Sequence, residues 1–257
     1  MREINSTANQ TIKDICSLKT SKARADVSAF IVEGEKCVSE AFFVPDRVRM
    51  LIIDISYIKD YENYICMSEQ NGTEVLAVAA HVFAKISSEK TPPKIAAVIK
   101  IETIDNALKA NFAVALEDVQ DPQNVGAILR TADAAGADTL ILSYNCADVF
   151  SPKAVKASMG SIFHLNIVKA DNIVKEISML KQRGVLVLGA HPRQGKPVVY
   201  KKPACLVFGN EGHGMSEDMI DICDSLINIK MYGKAESLNV AVAAGILIFD
   251  SARAFNL

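Results

Sequence analysis

From residue 112 to the end, the sequence alternates short apolar runs with stretches of helical periodicity, and this alternation constrains the fold more than any other feature. The apolar runs that predict strands are residues 112–116, 139–142, 163–168, 185–188, 205–208 and 226–229. Helices are predicted between most of these runs and in a terminal segment that starts at residue 238. Strands that alternate with helices form parallel sheets with helices on both faces. This half of the chain is therefore predicted to have an α/β fold.

The first part of the chain has a different pattern. Three predicted strands at residues 30–34, 48–54 and 94–100, with helical stretches between them, indicate a small α/β domain. A Pro-Pro pair and a polar connector then separate this part from the regular alternation. A chain of 257 residues is long enough for one large domain or two ordinary ones. We predict two domains, comprising residues 1–105 and 106–257.

Charge neither establishes nor excludes a nucleic-acid partner. The chain has 28 basic and 30 acidic residues and a net charge of −2, so a polyanion would have to be bound by a local basic patch. One candidate patch consists of Lys13, Lys19, Lys22 and Arg24. On charge alone, the better interpretation of these four residues is a solvated helix face.

Several classes of site lack their usual signatures. The sequence has no Walker-type phosphate loop, no G-x-G-x-x-G after a strand, no H-E-x-x-H and no G-x-S-x-G. Its six cysteines are widely spaced and its four histidines are scattered, so neither a disulfide framework nor a metal site is indicated. We therefore predict no metal ion in the site.

The location is predicted from two segments. The N-terminal residues lack the apolar core of a signal peptide. The most apolar stretch, residues 240–249, is about half as long as the ~20 residues that cross a bilayer. We therefore predict a cytoplasmic protein without a membrane partner.

The polar residues that follow the predicted strands are the candidate site residues, because ligands of open parallel sheets bind beyond the carboxyl ends of the strands. After residues 112–116, Asn124 lies near the start of a helix and Arg130 lies six residues further on. Taken singly, Asn124 is explained by helix capping and Arg130 by a surface ion pair.

Two further strand ends carry similar groups. Residues 209–214 contain three glycines, which allow close approach to the main chain, and Glu211 lies among them. Before the apolar terminal helix, Ser237 is the predicted N-cap. Asn239 is not explained by capping and remains a candidate site residue.

Together these strand ends resemble the signature motifs of the SpoU (TrmH-type) RNA 2′-O-ribose methyltransferases of the SPOUT superfamily. DPQNVGAILRTADAAGAD is similar to the first motif, LVFGNEGHGMS to the second and INIKMYGKAESLNVAVAAGI to the third. A Lys-x-Ser-x-Gly pattern at residues 156–160 is similar to the segment between the first two. More weakly, SKARADVSAFIVEGEKCVSEAF resembles the start of the ribosomal-protein-like RNA-binding domain that many members carry.

The resemblance implies an architecture and partners. The C-terminal part is expected to be a parallel-sheet SPOUT domain with a deep trefoil knot, and the N-terminal part a small α/β RNA-binding domain. Ordinary fold rules argue against a knot, so this expectation comes from the resemblance alone. Family members form homodimers with both active sites near the interface, so a homodimer is expected as well.

The resemblance also implies S-adenosylmethionine-dependent methylation of a ribose 2′-hydroxyl in RNA. The implied catalytic residues are Asn124, Arg130, Glu211, Ser237 and Asn239. The implied cofactor-binding residues are Gly189, Ala190, Gly209, Asn210, Ile229, Met231 and Leu238. The implied RNA-binding residues are Lys22, Arg24 and Arg130. Because an arginine is almost always protonated, we interpret Arg130 as a phosphate clamp rather than a base.

The N-terminal domain favours 23S ribosomal RNA as the substrate. The alternatives are a tRNA ribose 2′-O-methyltransferase and a catalytically silent RNA-binding protein of the same fold. Retention of the polar motif residues favours an enzyme. Lys230 keeps the silent alternative open, because family members usually have proline at this position, in a loop that lines their cofactor pocket. Ala241 is a second departure, since family members often have serine there.

Overall fold

A computed structural model describes residues 1–255 of the chain, in two compact units. Unit 1 contains Met1–Glu102 together with Phe150–Phe163. Unit 2 contains Thr103–Val149 and the chain from His164 onward. Residues 150–163, which lie inside the predicted C-terminal domain, thus group with the N-terminal part of the chain.

The helices and strands follow one another along the chain. Up to residue 102 they are β1 Arg2–Ile4, α1 Gln10–Ser17, α2 Ser21–Val27, β2 Ala29–Glu33, α3 Glu35–Ala41, β3 Val48–Asp54, α4 Glu62–Gln70, β4 Glu74–Val78, α5 Ala80–Ile86 and β5 Ile95–Lys100. From residue 103 they are β6 Phe112–Leu116, α6 Pro122–Ala134, β7 Thr139–Ser143, α7 Pro152–Ser158, β8 Asn166–Ala170, α8 Ile173–Gln182, β9 Leu186–Ala190, β10 Ala204–Phe208, α9 Glu217–Ile222, β11 Ser225–Ile227 and α10 Val240–Ala254.

Unit 1 is built on a mixed five-stranded sheet with the order β1-β4-β3-β5-β2. Strand β5 is antiparallel to both of its neighbours, and β3 is parallel to β4. Helix α1 covers this sheet with the buried side chains of Ile12 and Ile15. In the same unit, the rings of Phe150 and Phe163 lie 5.1 and 6.2 Å from the ring of Phe30 in β2. This aromatic cluster explains why residues 150–163 belong to unit 1.

Unit 2 is built on a six-stranded sheet with the order β11-β9-β10-β6-β7-β8, in which every pair of neighbours is parallel. The two central strands, β6 and β10, are buried along their whole length. The predicted α/β fold with a parallel sheet is therefore confirmed. Since β9, β10 and β6 are adjacent, the segments that leave their carboxyl ends emerge at one edge of the sheet.

Seven of the nine predicted strands begin or end one to three residues away from the predicted bounds, and the differences at β8 and β11 change the segments beside these strands. Ser161–Phe163 form a short 3₁₀ turn, so Phe163 ends that turn instead of starting the predicted strand, and β8 begins at Asn166. Strand β11 ends at Ile227, which leaves the following residues free to form a loop. No helix within residues 1–255 is long and apolar enough to cross a membrane.

Candidate active site

The segment after β10 folds back on itself in a tight loop. Asn210 and Gly214 exchange two backbone hydrogen bonds, each 3.0 Å long. A Cβ atom on Gly209 would lie 2.3 Å from the backbone of Gly214 and Met215, so only glycine fits there. Gly214 has a φ of +77°, which also favours glycine. Close approach and backbone conformation therefore explain two of the three glycines, and Gly212 has neither requirement.

Asn210 ties this loop to the segment after β6. Its Nδ2 donates a hydrogen bond of 2.7 Å to the carbonyl oxygen of Asp118, and its Oδ1 accepts one of 2.8 Å from the N–H of Gly212. The side chain of Asn210 thus stabilises the conformation of its own loop and holds the segment after β6 against it.

Glu211 joins the same two segments from the other side of the loop. Its carboxylate accepts hydrogen bonds from the backbone N–H groups of Gln120 and Asp121, at 3.2 and 3.3 Å, and from Nδ2 of Asn124, at 3.0 Å. Glu211 therefore orients the start of α6, and no hydrogen bond joins it to Arg130 within the described residues.

These donors also determine the charge of Glu211. Partial burial would raise the pKa of this carboxyl, but the hydrogen bonds from Asn124 and from the backbone lower the pKa below its ordinary value. The carboxylate is therefore ionised at neutral pH. The stability that these bonds contribute is present at pH values above the pKa that Glu211 has in the unfolded chain. It is lost as the pH falls through the lower pKa that Glu211 has in the folded protein.

Replacement of Asn124 by leucine should raise the pKa of Glu211, because the largest of the favourable hydrogen bonds is removed. The titration of the Glu211 side-chain carboxyl, followed by carbon-detected NMR, measures this pKa. Gln123→Leu is the matched control, since Gln123 is the exposed neighbour on the same helix. Equal pKa values in the two variants would show that Asn124 does not stabilise the carboxylate.

The third segment completes the connection. Asn239 is the N-cap of α10, and its Oδ1 accepts hydrogen bonds from the N–H groups of Ala241 and Val242. The prediction that Ser237 is the N-cap was wrong, because the helix begins two residues later than the apolar pattern indicates. Nδ2 of Asn239 donates a hydrogen bond of 3.1 Å to Oδ1 of Asn124. Glu211, Asn124 and Asn239 thus form one chain of hydrogen bonds across all three motif segments.

Asn124 does not cap its own helix. The N-cap of α6 is Asp121, whose side chain accepts a hydrogen bond from the N–H of Gln123. Asn124 uses its amide group to connect the other two motif segments, so the capping interpretation does not explain this residue.

Arg130 lies apart from this network. The residue is exposed on α6 and forms no ion pair or hydrogen bond with any residue in the range 1–255. A surface ion pair therefore does not explain Arg130. An exposed guanidinium without an internal partner is available for an anionic ligand.

A cavity of about 310 Å³ lies beside the network. Glu211 and Ser237 line it, as do Val240, Ala243 and Leu247 of α10. Six of the seven candidate cofactor residues also line the cavity: Ala190, Gly209, Asn210, Ile229, Met231 and Leu238.

Gly189 is the candidate cofactor residue that does not line the cavity. A Cβ atom there would lie 2.8 Å from the side chains of Cys223 and Met215. Gly189 therefore permits residues on either side of α9 to pack closely on β9. Gly189 thus supports the cavity indirectly, through its contact with the lining residue Met215.

Two acidic residues next to the first motif position the loops, and sequence reasoning missed both. Glu117 is buried and its carboxylate accepts hydrogen bonds of 2.9 and 2.6 Å from the N–H and the hydroxyl of Ser216. Asp118 has a φ of +58°, and its carboxylate accepts hydrogen bonds from the side chains of Ser143 and Asn145. The only signal in the sequence is their place directly after an apolar strand.

His191 and Asn228 are further cavity residues that the sequence did not single out. Nδ1 of His191 accepts hydrogen bonds from the N–H groups of Arg193 and Gln194, at 3.2 and 2.9 Å. This ring therefore stabilises the turn after β9. Its position directly after Ala190 was the available signal.

The neighbouring cysteines offer no nucleophile. Burial raises the pKa of Cys223 to about 12 and raises that of Cys205 as well. Both groups are thus neutral thiols at physiological pH. Within residues 1–255, no group of three His, Cys, Asp or Glu side chains is arranged to hold a metal ion.

Lys230 departs from the family pattern without entering the cavity. Its neighbours Ile229 and Met231 line the cavity, whereas Lys230 is exposed and its Nζ lies 5.2 Å from the ring centroid of Tyr232. The N–H of Lys230 donates to no group among the described residues. The charge of Lys230 is therefore outside the pocket wall.

In unit 1, the structure separates the two basic residues that were assigned to RNA binding. Lys22 is exposed on α2. Arg24 is only 4% exposed, and its guanidinium donates a hydrogen bond of 2.8 Å to the carbonyl oxygen of Leu18. Arg24 therefore stabilises the turn between α1 and α2, and its burial disfavours direct contact with RNA.

Comparison with known proteins gives two family matches. The model of the SpoU rRNA Methylase family matches residues 111–249. The model of the MRM3-like substrate binding domain matches residues 9–97. The first match includes all three motif segments, and the second lies within unit 1.

Individual relatives match almost the whole chain. The 23S rRNA (guanosine(2553)-2'-O)-methyltransferase RlmP of Bacillus subtilis is 34% identical over 252 residues, which cover 97% of this chain and 98% of the relative. An AdoMet-bound rRNA methyltransferase from Sinorhizobium meliloti has a TM-score of 0.88 at 30% identity, with 98% and 97% of the two chains covered. The SpoU methyltransferase AviRb from Streptomyces viridochromogenes, in complex with AdoMet, has a TM-score of 0.82 at 26% identity, with 95% and 97% covered.

Proposed function

The chain belongs to the SpoU rRNA methylase family, and we propose that it transfers a methyl group from S-adenosylmethionine to a ribose 2′-hydroxyl of 23S ribosomal RNA. The observation that carries this proposal is the hydrogen-bonded chain Glu211–Asn124–Asn239 beside the cavity. Three segments that are distant in sequence supply the polar groups of one site.

The cavity fits S-adenosylmethionine in size and chemistry. Its volume of about 310 Å³ lies at the lower end of the range of ligand pockets, ~300–1,000 Å³. The apolar side chains of Ile229, Met231 and Leu238 suit an adenine ring, and the glycines of the loop 209–214 line the cavity with main-chain atoms. When bound there, the cofactor supplies a methyl group that is activated by a sulfonium.

In this proposal, the side chains of the protein position the RNA and supply a positive charge beside the 2′-hydroxyl. The chain Glu211–Asn124–Asn239 holds α6 and α10 in place, so that the RNA meets a fixed surface. Arg130 binds a phosphate next to the target ribose, and its positive charge lowers the pKa of the 2′-hydroxyl. Ser237 lines the cavity and holds the target nucleotide of the RNA.

We propose that residues 1–105 bind the RNA substrate and that residues 106–257 form the methyltransferase domain. The match of residues 9–97 to a substrate binding domain supports the first assignment. In this proposal Lys22 contacts RNA phosphates, whereas Arg24 acts through the stability of unit 1.

The two residues should therefore respond differently to substitution. Lys22→Gln should weaken RNA binding about fourfold at ~0.15 M salt, the electrostatic contribution of one phosphate contact, and leave thermal unfolding unchanged. Arg24→Gln should lower the free energy of unfolding by about 1–3 kcal/mol, because the carbonyl of Leu18 loses a charged donor. Fluorescence anisotropy and calorimetry measure the two effects. A stable Arg24→Gln variant with selectively weakened RNA binding would contradict this division.

We also propose a homodimer. One face of α10 lines the cavity, and another face exposes Val242, Ile246 and Phe249, with exposed fractions of 52%, 39% and 39%. These residues are spaced four and three positions apart, so they form one apolar stripe on the helix. Contiguous exposed apolar side chains are typical of protein interfaces. A partner on this stripe would lie close to the cavity.

The family's trefoil knot is part of the same proposal. The connection from β9 to β10 supports it: the N–H groups of His191 and Lys196 donate hydrogen bonds to the carbonyl oxygens of Ile227 and Leu226. The chain after β11 therefore leaves the sheet against this connection, as threading through it requires. We further propose that the protein acts in the cytoplasm, where ribosomal RNA is found.

The activity is tested with the purified full-length protein and methyl-labelled S-adenosylmethionine. Purified 23S rRNA and total tRNA are the two substrates, and nuclease digestion followed by mass spectrometry identifies the methylated nucleoside. We expect a 2′-O-methylnucleoside from 23S rRNA. Label in tRNA alone would favour the tRNA alternative, and binding of cofactor and RNA without label would favour the silent RNA-binding protein.

A further inference from the structure

Two loops beside the cofactor cavity carry a local excess of positive charge. The segments 191–196 and 228–239 contain four cations, Arg193, Lys196, Lys230 and Lys234, against a single carboxylate, Glu236. The whole chain has a net charge of −2, so this excess is a property of the two loops. Such a concentration of one sign creates a field that attracts an anionic ligand.

The two loops lie next to each other. The N–H of Lys196 donates a hydrogen bond of 3.0 Å to the carbonyl oxygen of Leu226, in β11 and two residues before the second segment. A Cβ atom on Gly195 would lie 2.6 Å from the backbone nitrogen of Asn228, so the loops are in backbone contact. Both loops also line the cavity, the first with Pro192 and the second with Met231. The cations therefore lie on loops that form the rim of the cavity.

None of the four cations is neutralised by the protein. All four are exposed, and none forms a salt bridge with a residue in the described range. Elsewhere in unit 2, lysines do pair with acids, as Lys181 does with Asp224 at 3.1 Å. Lys230 is instead held by a cation–π contact with the ring of Tyr232. Unpaired cations on one rim indicate a ligand with several negative charges.

We propose that Arg193, Lys196, Lys230 and Lys234 form a phosphate-binding rim that holds the RNA backbone beside the target ribose. This inference rests on the proposed function for the identity of the polyanion. Lys230 then replaces the usual proline of the family with an additional phosphate contact, and Tyr232 restrains its side chain. Phosphate contacts fix the register of a nucleic acid without reading its sequence.

The rim is tested by RNA binding without turnover. The probe is a fragment of 23S rRNA that contains the counterpart of the guanosine named for the Bacillus subtilis relative. The test variant is Arg193→Gln/Lys230→Gln. The matched control is Lys109→Gln/Lys175→Gln, which removes two exposed lysines of unit 2 whose ammonium groups have no partner among the described residues. Binding is measured by anisotropy over a range of salt concentrations.

We expect RNA affinity to fall roughly fourfold per lost contact, and so about fifteenfold for the double variant, at ~0.15 M salt. The slope of log K against log salt should decrease by about 0.7 per contact. Cofactor affinity, measured by calorimetry, should be unchanged. Lys230→Pro should weaken RNA binding as much as Lys230→Gln, because both remove the charge.

If the test variant had the same RNA affinity and the same salt slope as the control, the phosphate-binding rim would be overturned. An acidic protein segment would then be the remaining candidate partner of these loops. The outcome is separable from the proposed activity. If the wild-type protein binds RNA through the rim but methylates nothing, the proposed function fails and the rim stands. If it methylates RNA and the double variant binds like the control, only the rim fails.

Discussion

Replacement of Arg130 by alanine should lower the rate of methyl transfer by about 10²–10³-fold, the range seen when one preorganised charged or polar donor is removed from a site. Cofactor affinity should not change, because Arg130 does not line the cavity and its side chain forms no hydrogen bond or ion pair within the described residues. Single-turnover rates and calorimetry with S-adenosylmethionine measure the two quantities separately. Since the Arg130 side chain is exposed and has no hydrogen-bond or ion-pair partner among the described residues, folding should be unaffected.

Arg130→Lys sharpens this prediction. A lysine keeps the positive charge but loses the planar arrangement of donors, so a phosphate clamp should retain part of the activity. Gln123→Ala, on the exposed side of the same helix, is the control. A loss of cofactor affinity as large as the loss of rate would contradict the assigned role, as would an alanine variant with normal activity.

Replacement of Gly209 by alanine should remove cofactor binding and lower the free energy of unfolding by more than about 2 kcal/mol. The new Cβ atom would lie 2.3 Å from backbone atoms of Gly214 and Met215, so the loop would have to open. Opening would break the hydrogen bonds of Asn210 and displace Glu211 from α6. Thermal unfolding and cofactor titration measure both effects.

Gly212→Ala is the matched control for this substitution. Its Cβ atom would meet no atom closer than 3.4 Å, and its φ is not in the left-handed region. The control should therefore unfold and bind the cofactor much as the wild type does. If the two alanine variants behaved alike, close backbone approach would not be the reason for Gly209.

The sequence predicted the strands best where the apolar pattern was least ambiguous. β3 and β6 have the bounds that were predicted, because each is a short apolar run with clear ends. β1 was missed since it has only three residues, and β4 since it runs into the apolar start of α5. The grouping of residues 150–163 with unit 1 depends on contacts among Phe30, Phe150 and Phe163, which no local pattern reveals.

The candidate site was predictable as a set of residue types, but not as a network. Asn124 and Glu211 are 87 residues apart, and Asn124 and Asn239 are 115 residues apart. The first contact follows from the strand order, in which β10 lies beside β6, and the second from the packing of α10 against α6. Charges that are neighbours in sequence were likewise indistinguishable: Lys22 is exposed and Arg24 is buried, because they lie on different faces of α2.

Methylation of a ribose of 23S ribosomal RNA is the activity that we propose for this protein. Its most direct test is a transcriptome-wide map of ribose 2′-O-methylation, covering ribosomal and transfer RNA, in cells with the intact gene, without it, and with the Arg130→Ala variant. We expect one 23S rRNA position to lose its methyl group in the second and third strains. Identical maps in all three strains, or a loss confined to tRNA, would contradict it.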